Sequence, residues 1–195
     1  LPTTRGIRVA VVPGWEPDVL PGYHQRTFAL GPDPDGEGDL EATLVRRGAA
    51  DRSARHAVLM VHGFTDYFFN TEFADHLAAR GFAFYALDLH KCGRSHREGQ
   101  TPHFTTDLAR YDVELEQAVS AIAAEMPARV LVYGHSAGGL VVSLWLDRLR
   151  RRADLDAFKP IQILMGQPML LEDDALRFHA ANIGSSYCHA ICLLF

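Results

Sequence analysis

Between Ala57 and Met165 the apolar residues alternate between two patterns. Short unbroken apolar runs are separated by longer stretches in which apolar residues return every three or four positions. The runs are 57–61 (AVLMV), 82–87 (FAFYAL), 129–133 (RVLVY) and 161–165 (IQILM). Such runs are what parallel strands covered on both faces require. The first intervening stretch predicts a helix from about Thr71, with Phe73, Leu77 and Ala78 on one face and Gly81 as its stop. The second predicts a longer helix carrying Leu108, Tyr111, Leu115, Val119 and Ile122, ended by Pro127. A third helix opens at about Ala137 and closes in Arg148, Arg150, Arg151 and Arg152, which suit a helix C-terminus and read as a solvated face. Repeated strand–helix units predict an α/β fold with a right-handed, mostly parallel, doubly wound sheet. Its active groups are expected at the C-terminal ends of the strands.

Outside this stretch the pattern changes. Residues 5–22, interrupted by Pro13, Pro17 and Pro21, read as a surface arm. The half-alternating runs 23–30 and 40–47 flank the turn-rich segment 31–39 (GPDPDGEGD) and predict a hairpin-like pair. That segment lacks the spaced ligands of a calcium loop and reads as a solvated turn. From Gly166 onward no strand–helix unit is legible, although the chain ends in the apolar run 188–195 (CHAICLLF).

Composition narrows the function classes. A chain of 195 residues is long enough for one domain with a sizeable core, here 1–195. Its net charge of −5 and the absence of a basic stripe make nucleic acid an unexpected partner. Three cysteines, Cys92, Cys188 and Cys192, with no secretion pattern favour a reducing compartment, and a cytoplasmic location is the expectation. No apolar run reaches transmembrane length. His90, His96 and Cys92 lack zinc-ligand spacing, so neither a metal nor a cofactor is assigned. Nothing in the sequence speaks to oligomeric state.

The chemistry concentrates at Gly134-His135-Ser136-Ala137-Gly138. G-x-S-x-G gains its meaning from context: a buried strand runs into it and a helix leaves it, which is the setting of a nucleophile elbow. Gly134 and Gly138 are expected where two backbones approach too closely for a side chain, and Ser136 where a strained turn lifts its hydroxyl clear of the sheet. The helix after Ser136 aims free N–H groups and a positive dipole end at any oxyanion formed there, beginning with the N–H of Ala137.

Three motifs in this order carry a resemblance: Val61-His62-Gly63-Phe64, the segment 88–95 (DLHKCGRS) and the elbow. The chain resembles the α/β-hydrolase superfamily, particularly the monoacylglycerol-lipase and lysophospholipase-like serine hydrolases, over about residues 20–165. His90, Lys91 and Cys92 stand where Arg, Gly and His are usual. The resemblance implies a carboxylic-ester substrate, lipid-like, and an acyl-enzyme on Ser136. It implies a second oxyanion donor at the N–H of Phe64 and a structural rather than catalytic place for Asp88. His62 is expected to make a structural hydrogen bond, and His135 to pack beside the sheet. The family's base is a histidine after the last strand, oriented by an acid after an earlier one. The 31 residues beyond Leu164 are too few for two further strand–helix units. The expectation is therefore a hydrolase sheet missing its last strands, apparently truncated at the C-terminus, with 161–165 as an exposed edge and residues 166–195 as an unmatched tail. Asp173 or Asp174 and His179 or His189 are the available substitutes for acid and base. Two rival readings remain open: a non-catalytic fragment that keeps the elbow without the triad, and a haloperoxidase- or thioesterase-like member that shares it.

Overall fold

The computed structural model describes residues 14–54, 56–126 and 129–152, and the backbone of 161–166, 179–182 and 189–193. Among the described residues nine strands form one sheet. They are β1 (Glu16–Pro17), β2 (Tyr23–Pro32), β3 (Asp39–Arg47), β4 (His56–Val61), β5 (Phe82–Asp88), β6 (Arg129–His135), β7 (Ile161–Gly166), β8 (His179–Asn182) and β9 (His189–Leu193). Helices α1 (Thr71–Ala78), α2 (Tyr111–Glu125) and α3 (Ala137–Arg151) follow β4, β5 and β6. The order across the sheet is β1-β2-β3-β5-β4-β6-β7-β9-β8. Strands β5, β4, β6, β7 and β9 run parallel, while β1 to β3 on one flank and β8 on the other are antiparallel.

Alternation along β4 divides the core. Ala57, Leu59 and Val61 face a cluster with Leu115, Val119 and Ile122 of α2 and Val142 and Trp145 of α3. Val58 and Met60 face a second cluster with Phe68, and with Ala74 and Leu77 of α1. Each face is thus covered, which is why the central strands read as continuous apolar runs. Helix α1 is capped by Asn70, whose side chain accepts the Phe73 N–H at 3.0 Å. A 3-10 turn, Leu108–Arg110, leads directly into α2.

The connections fix where a site belongs. From β4 the chain passes through α1 to β5 on one side, and from β6 it passes to β7 on the other. The C-terminal ends of the adjacent strands β4 and β6 therefore border the point where the winding direction reverses. In open α/β sheets that is where a crevice opens.

Three expectations need correction. Strand β7 is not an exposed edge: β9 pairs with it in parallel, Leu164 opposite Ile191, and β8 covers β9 with His179 opposite Cys192. Part of the chain that reads as an unmatched tail therefore joins the sheet. The arm before Tyr23 is docked where it is described. Trp15 donates to Glu125 and lies under the Arg46 guanidinium, 4.2 Å from its ring centroid. The arginines closing α3 are not all solvated, since Arg148 makes two 2.7 Å bonds to Asp112 of α2.

Candidate active site

Ser136 sits between the last residue of β6 and the first of α3, with φ 52° and ψ −117°. For a residue with a side chain this left-handed backbone costs on the order of 1–3 kcal/mol, and the tight packing around it holds it there. A Cβ on Gly134 would lie 2.6 Å from both N and Cα of Gly139, so that glycine lets β6 and α3 meet. A Cβ on Gly138 would press on the carbonyl oxygens of Val61 and His62. Gly138 therefore brings α3 against the end of β4 rather than against its own strand, as the motif alone suggests. Ser136 is exposed, and the first turn of α3 leaves its leading N–H groups without helical partners.

The loop after β4 lies against the elbow. A Cβ on Gly63 would be 3.3 Å from Ser136 Cβ and 3.2 Å from His135 Nδ1. His62 is buried and bonded on both ring nitrogens. The Leu89 N–H donates to its Nε2 at 3.1 Å, so Nδ1 carries the hydrogen and donates to the Gly63 carbonyl at 2.8 Å. Burial pushes the His62 pKa down, which keeps the ring neutral for this role. Phe64 follows, exposed, and Thr65 turns the chain with φ 53°. His135 does more than pack beside the sheet, since its Nδ1 lies 3.6 Å from Asp66 Oδ2 in this same loop.

A glycine-flanked serine at a strained strand–helix turn, with a second turn from the neighbouring strand packed on it, can present a hydroxyl and backbone N–H donors to one substrate carbonyl. The serine aminopeptidase S33 family matches residues 52–170, more than half of the chain and all of this constellation. The chain belongs to that family of α/β hydrolases. The fold agrees. A candidate hydrolase from Agrobacterium vitis superposes with a TM-score of 0.53 at 16% identity, covering 73% of this chain and 51% of that one. Cfl2 from Burkholderia cenocepacia gives 0.52 at 21% identity, over 86% and 50%. A candidate lipase from Sulfolobus solfataricus gives 0.51 at 12% identity, over 89% and 53%. The chain thus spans about half the length of these structures. No curated protein matches it in sequence.

The loop after β5 is where this S33-family chain departs from the usual motif. Asp88 is fully buried and, in keeping with a structural place, accepts the N–H groups of Phe68 at 2.8 Å and Arg94 at 3.0 Å. Ser95 Oγ donates to the Asp88 carbonyl at 2.7 Å. Arg94, rather than Gly93, is the main anchor, because its guanidinium also joins Asp88 Oδ2 at 2.9 Å and Asp18 Oδ1 at 2.9 Å. His90 Nδ1 meets Glu114 Oε1 at 3.0 Å, both buried, and burial pushes the Glu114 carboxyl above its usual range. Lys91 stands in the left-handed conformation, φ 59°, where the family has glycine. Its side chain is 1% exposed, and its ammonium meets Asp33 Oδ2 and Glu37 Oε2, each at 2.6 Å. Burial works against that charge, yet the two carboxylates more than offset it and hold the Lys91 pKa up.

The acidic turn 31–39 is exposed along most of its length, but its acidic side chains are not all solvated: Lys91 clamps Asp33 and Glu37, and Arg110 and Thr106 hold Asp35. No sequence signal pointed to this, since a lone lysine in a loop ordinarily faces water.

Among the described residues no group of three or more His, Cys, Asp or Glu can hold a metal ion. His96 instead bonds the Gln100 carbonyl at 3.0 Å, and Cys92 the His90 carbonyl at 3.3 Å. Nor is any helix there long and apolar enough to cross a membrane. Asp173 and Asp174 lie outside the described residues. His179 and His189 fall on β8 and β9, and no described histidine bonds Ser136.

Proposed function

We propose that this chain hydrolyses carboxylic esters through an acyl-enzyme on Ser136. The observation that carries the reading is the backbone of Ser136, left-handed at the head of α3 and in contact with the Gly63 turn. The Ser136 Oγ attacks the ester carbonyl carbon. The negative charge moves to the carbonyl oxygen, where the N–H groups of Ala137 and Phe64 receive it. The carbonyl re-forms as the C–O bond to the alcohol breaks, and the proton taken from Ser136 leaves with the alcohol. Water then releases the acid by the reverse sequence. Each preorganised donor is worth roughly 3–4 kcal/mol in rate.

Strand register separates the two candidate bases, His179 and His189. Cys192, opposite His179, is also opposite Met165, which is opposite Gly134, so His179 lies level with the elbow. It is also three strands away from β6, about 14 Å across the sheet, farther than an imidazole side chain reaches, so this register does not bring it to Ser136. His189 precedes Ala190, which pairs with Ile163, placing it at the other end of the parallel strands. Either Asp173 or Asp174 would orient the base.

Lipid-like esters such as monoacylglycerols or lysophospholipids suit the surroundings. Phe64, Tyr67, Phe69 and Leu140 are 69%, 45%, 59% and 54% exposed at the edge that carries Ser136. The rival reading is a chain that keeps the elbow without turnover, and the distance of His179 across the sheet is the observation that favours it. Purified chain should hydrolyse p-nitrophenyl butyrate and octanoate, the longer ester better, and loss of this turnover in His179→Ala or in His189→Ala identifies the base. Turnover of an aminoacyl p-nitroanilide without ester turnover would replace the ester reading with a peptidase one. No turnover of either would support the non-catalytic alternative.

A further inference from the structure

The described residues include four non-glycine residues with positive φ: Thr65, Lys91, His103 and Ser136. Thr65 and Ser136 belong to the two turns of the candidate site. Lys91 and His103 do not, yet they are joined to each other and to the first of those turns. The His103 N–H donates to the Lys91 carbonyl at 3.0 Å. Its Nδ1 lies 3.1 Å from Cys92 Sγ. The thiol of Cys92 is buried, and burial pushes its pKa up, so it keeps its hydrogen and directs it to the His90 carbonyl at 3.3 Å. His103 Nδ1–H is then the donor to sulfur, which fixes the tautomer and the ring plane. The edge of that ring meets Phe64, with centroids 6.0 Å apart and planes at 62°. Lys91 is itself immobilised by Asp33 and Glu37, so the chain of contacts starts from a rigid point.

Resting on the reading of Ser136 as nucleophile and Phe64 N–H as oxyanion donor, we propose that His103 is a positioning residue of the site. Held by Lys91 and Cys92, it props the exposed Phe64 ring and thereby sets the direction of the Phe64 N–H. The residues that depart from the family motif then have a shared use. Lys91 supplies the left-handed turn and its anchor, and Cys92 supplies the sulfur that orients His103. Phe64 lacks the burial that would otherwise fix a large side chain. An aromatic edge contact is suited to fix one while leaving it at the surface.

The test compares hydrogen exchange and steady-state kinetics in the full chain for His103→Ala, His103→Phe and Cys92→Ser. His103→Ala should raise exchange across residues 62–70 about tenfold while that of 56–61 stays unchanged. It should lower kcat for p-nitrophenyl butyrate about tenfold with KM within twofold. His103→Phe, which keeps an aromatic edge, should recover most of both losses. Cys92→Ser should fold and show a smaller change in the same direction, which keeps the idea testable if His103→Ala unfolds. Unchanged exchange over 62–70 in His103→Ala, or in Cys92→Ser where the first does not fold, would overturn the proposal. So would a raised KM at constant kcat. A wild type without ester turnover would count against the reading of Ser136, and the exchange measurement would still decide whether His103 holds the Phe64 turn.

Discussion

Two neighbouring regions at one edge of the sheet are built by opposite means. The elbow and the turn after β4 are held by backbone against backbone: Gly134 on Gly139, Gly138 on Val61 and His62, Gly63 on the His135 carbonyl. The loop after β5 is held by side-chain polar contacts, among them buried ion pairs: Lys91 on Asp33 and Glu37, Arg94 on Asp18 and Asp88, with His90 hydrogen-bonded to Glu114. The first region fails when atoms are added, the second when a charge is removed. Close backbone packing sets the geometry around a reacting oxygen within narrow limits. Ion pairs instead reach across the chain and tie distant segments to that geometry.

The comparison breaks most visibly at Gly138. Gly138→Val places carbon against two carbonyl oxygens with no flexible neighbour to yield, and should cost about 4 kcal/mol or more in urea unfolding. A variant melting within a degree or two of the parent would show that the elbow packing is misassigned. Next in size is Lys91→Met, which keeps the stem and leaves the carboxylate of Asp33, whose side chain is 1% exposed, only the more distant Arg110 guanidinium at 3.8 Å as a charge partner. The expected loss is about 3 kcal/mol. Adding Asp33→Asn should return part of it, because the second change removes a buried charge that has lost its nearest partner. Additive losses in the double variant would mean that the two groups do not interact.

The smallest effect sharpens the electrostatic half through pH. The Arg110 guanidinium and Thr106 beside Asp35 hold its carboxyl down to about 2, against an ordinary value of 3.8. A depressed folded-state pKa contributes stability that is present above about pH 4 and lost as pH falls toward 2. Arg110→Ala should therefore flatten the decline of the urea midpoint between pH 4 and pH 2. Identical acid profiles for parent and variant would contradict that assignment.

The same division explains what could be read from the chain. The elbow, β4 to β7 and the buried faces of α1 and α2 were legible because their signals are local: apolar runs, helical spacing, glycines around one serine. The clamp was not. Glu37 lies 54 residues from Lys91 and Glu125 lies 110 from Trp15, and no spacing rule joins such partners. Residues 31–39 look like a solvated turn until Lys91 is seen to be buried. The run around Ile191 had the composition of a covered strand. Without a legible helical pattern in the sequence before it, nothing said that it would pair with β7.

The central claim is that Ser136 is the nucleophile of an oxyanion-stabilised acyl transfer. A fluorophosphonate probe forms a stable phosphonyl–serine adduct only where a serine is activated, and peptide mass spectrometry locates the adduct. Labelling of the intact chain is expected on the peptide containing Ser136, and Ser136→Ala should abolish it, because the attacking oxygen is gone. Labelling that persists unchanged in Ser136→Ala, or a folded parent that takes up no probe, would contradict the account.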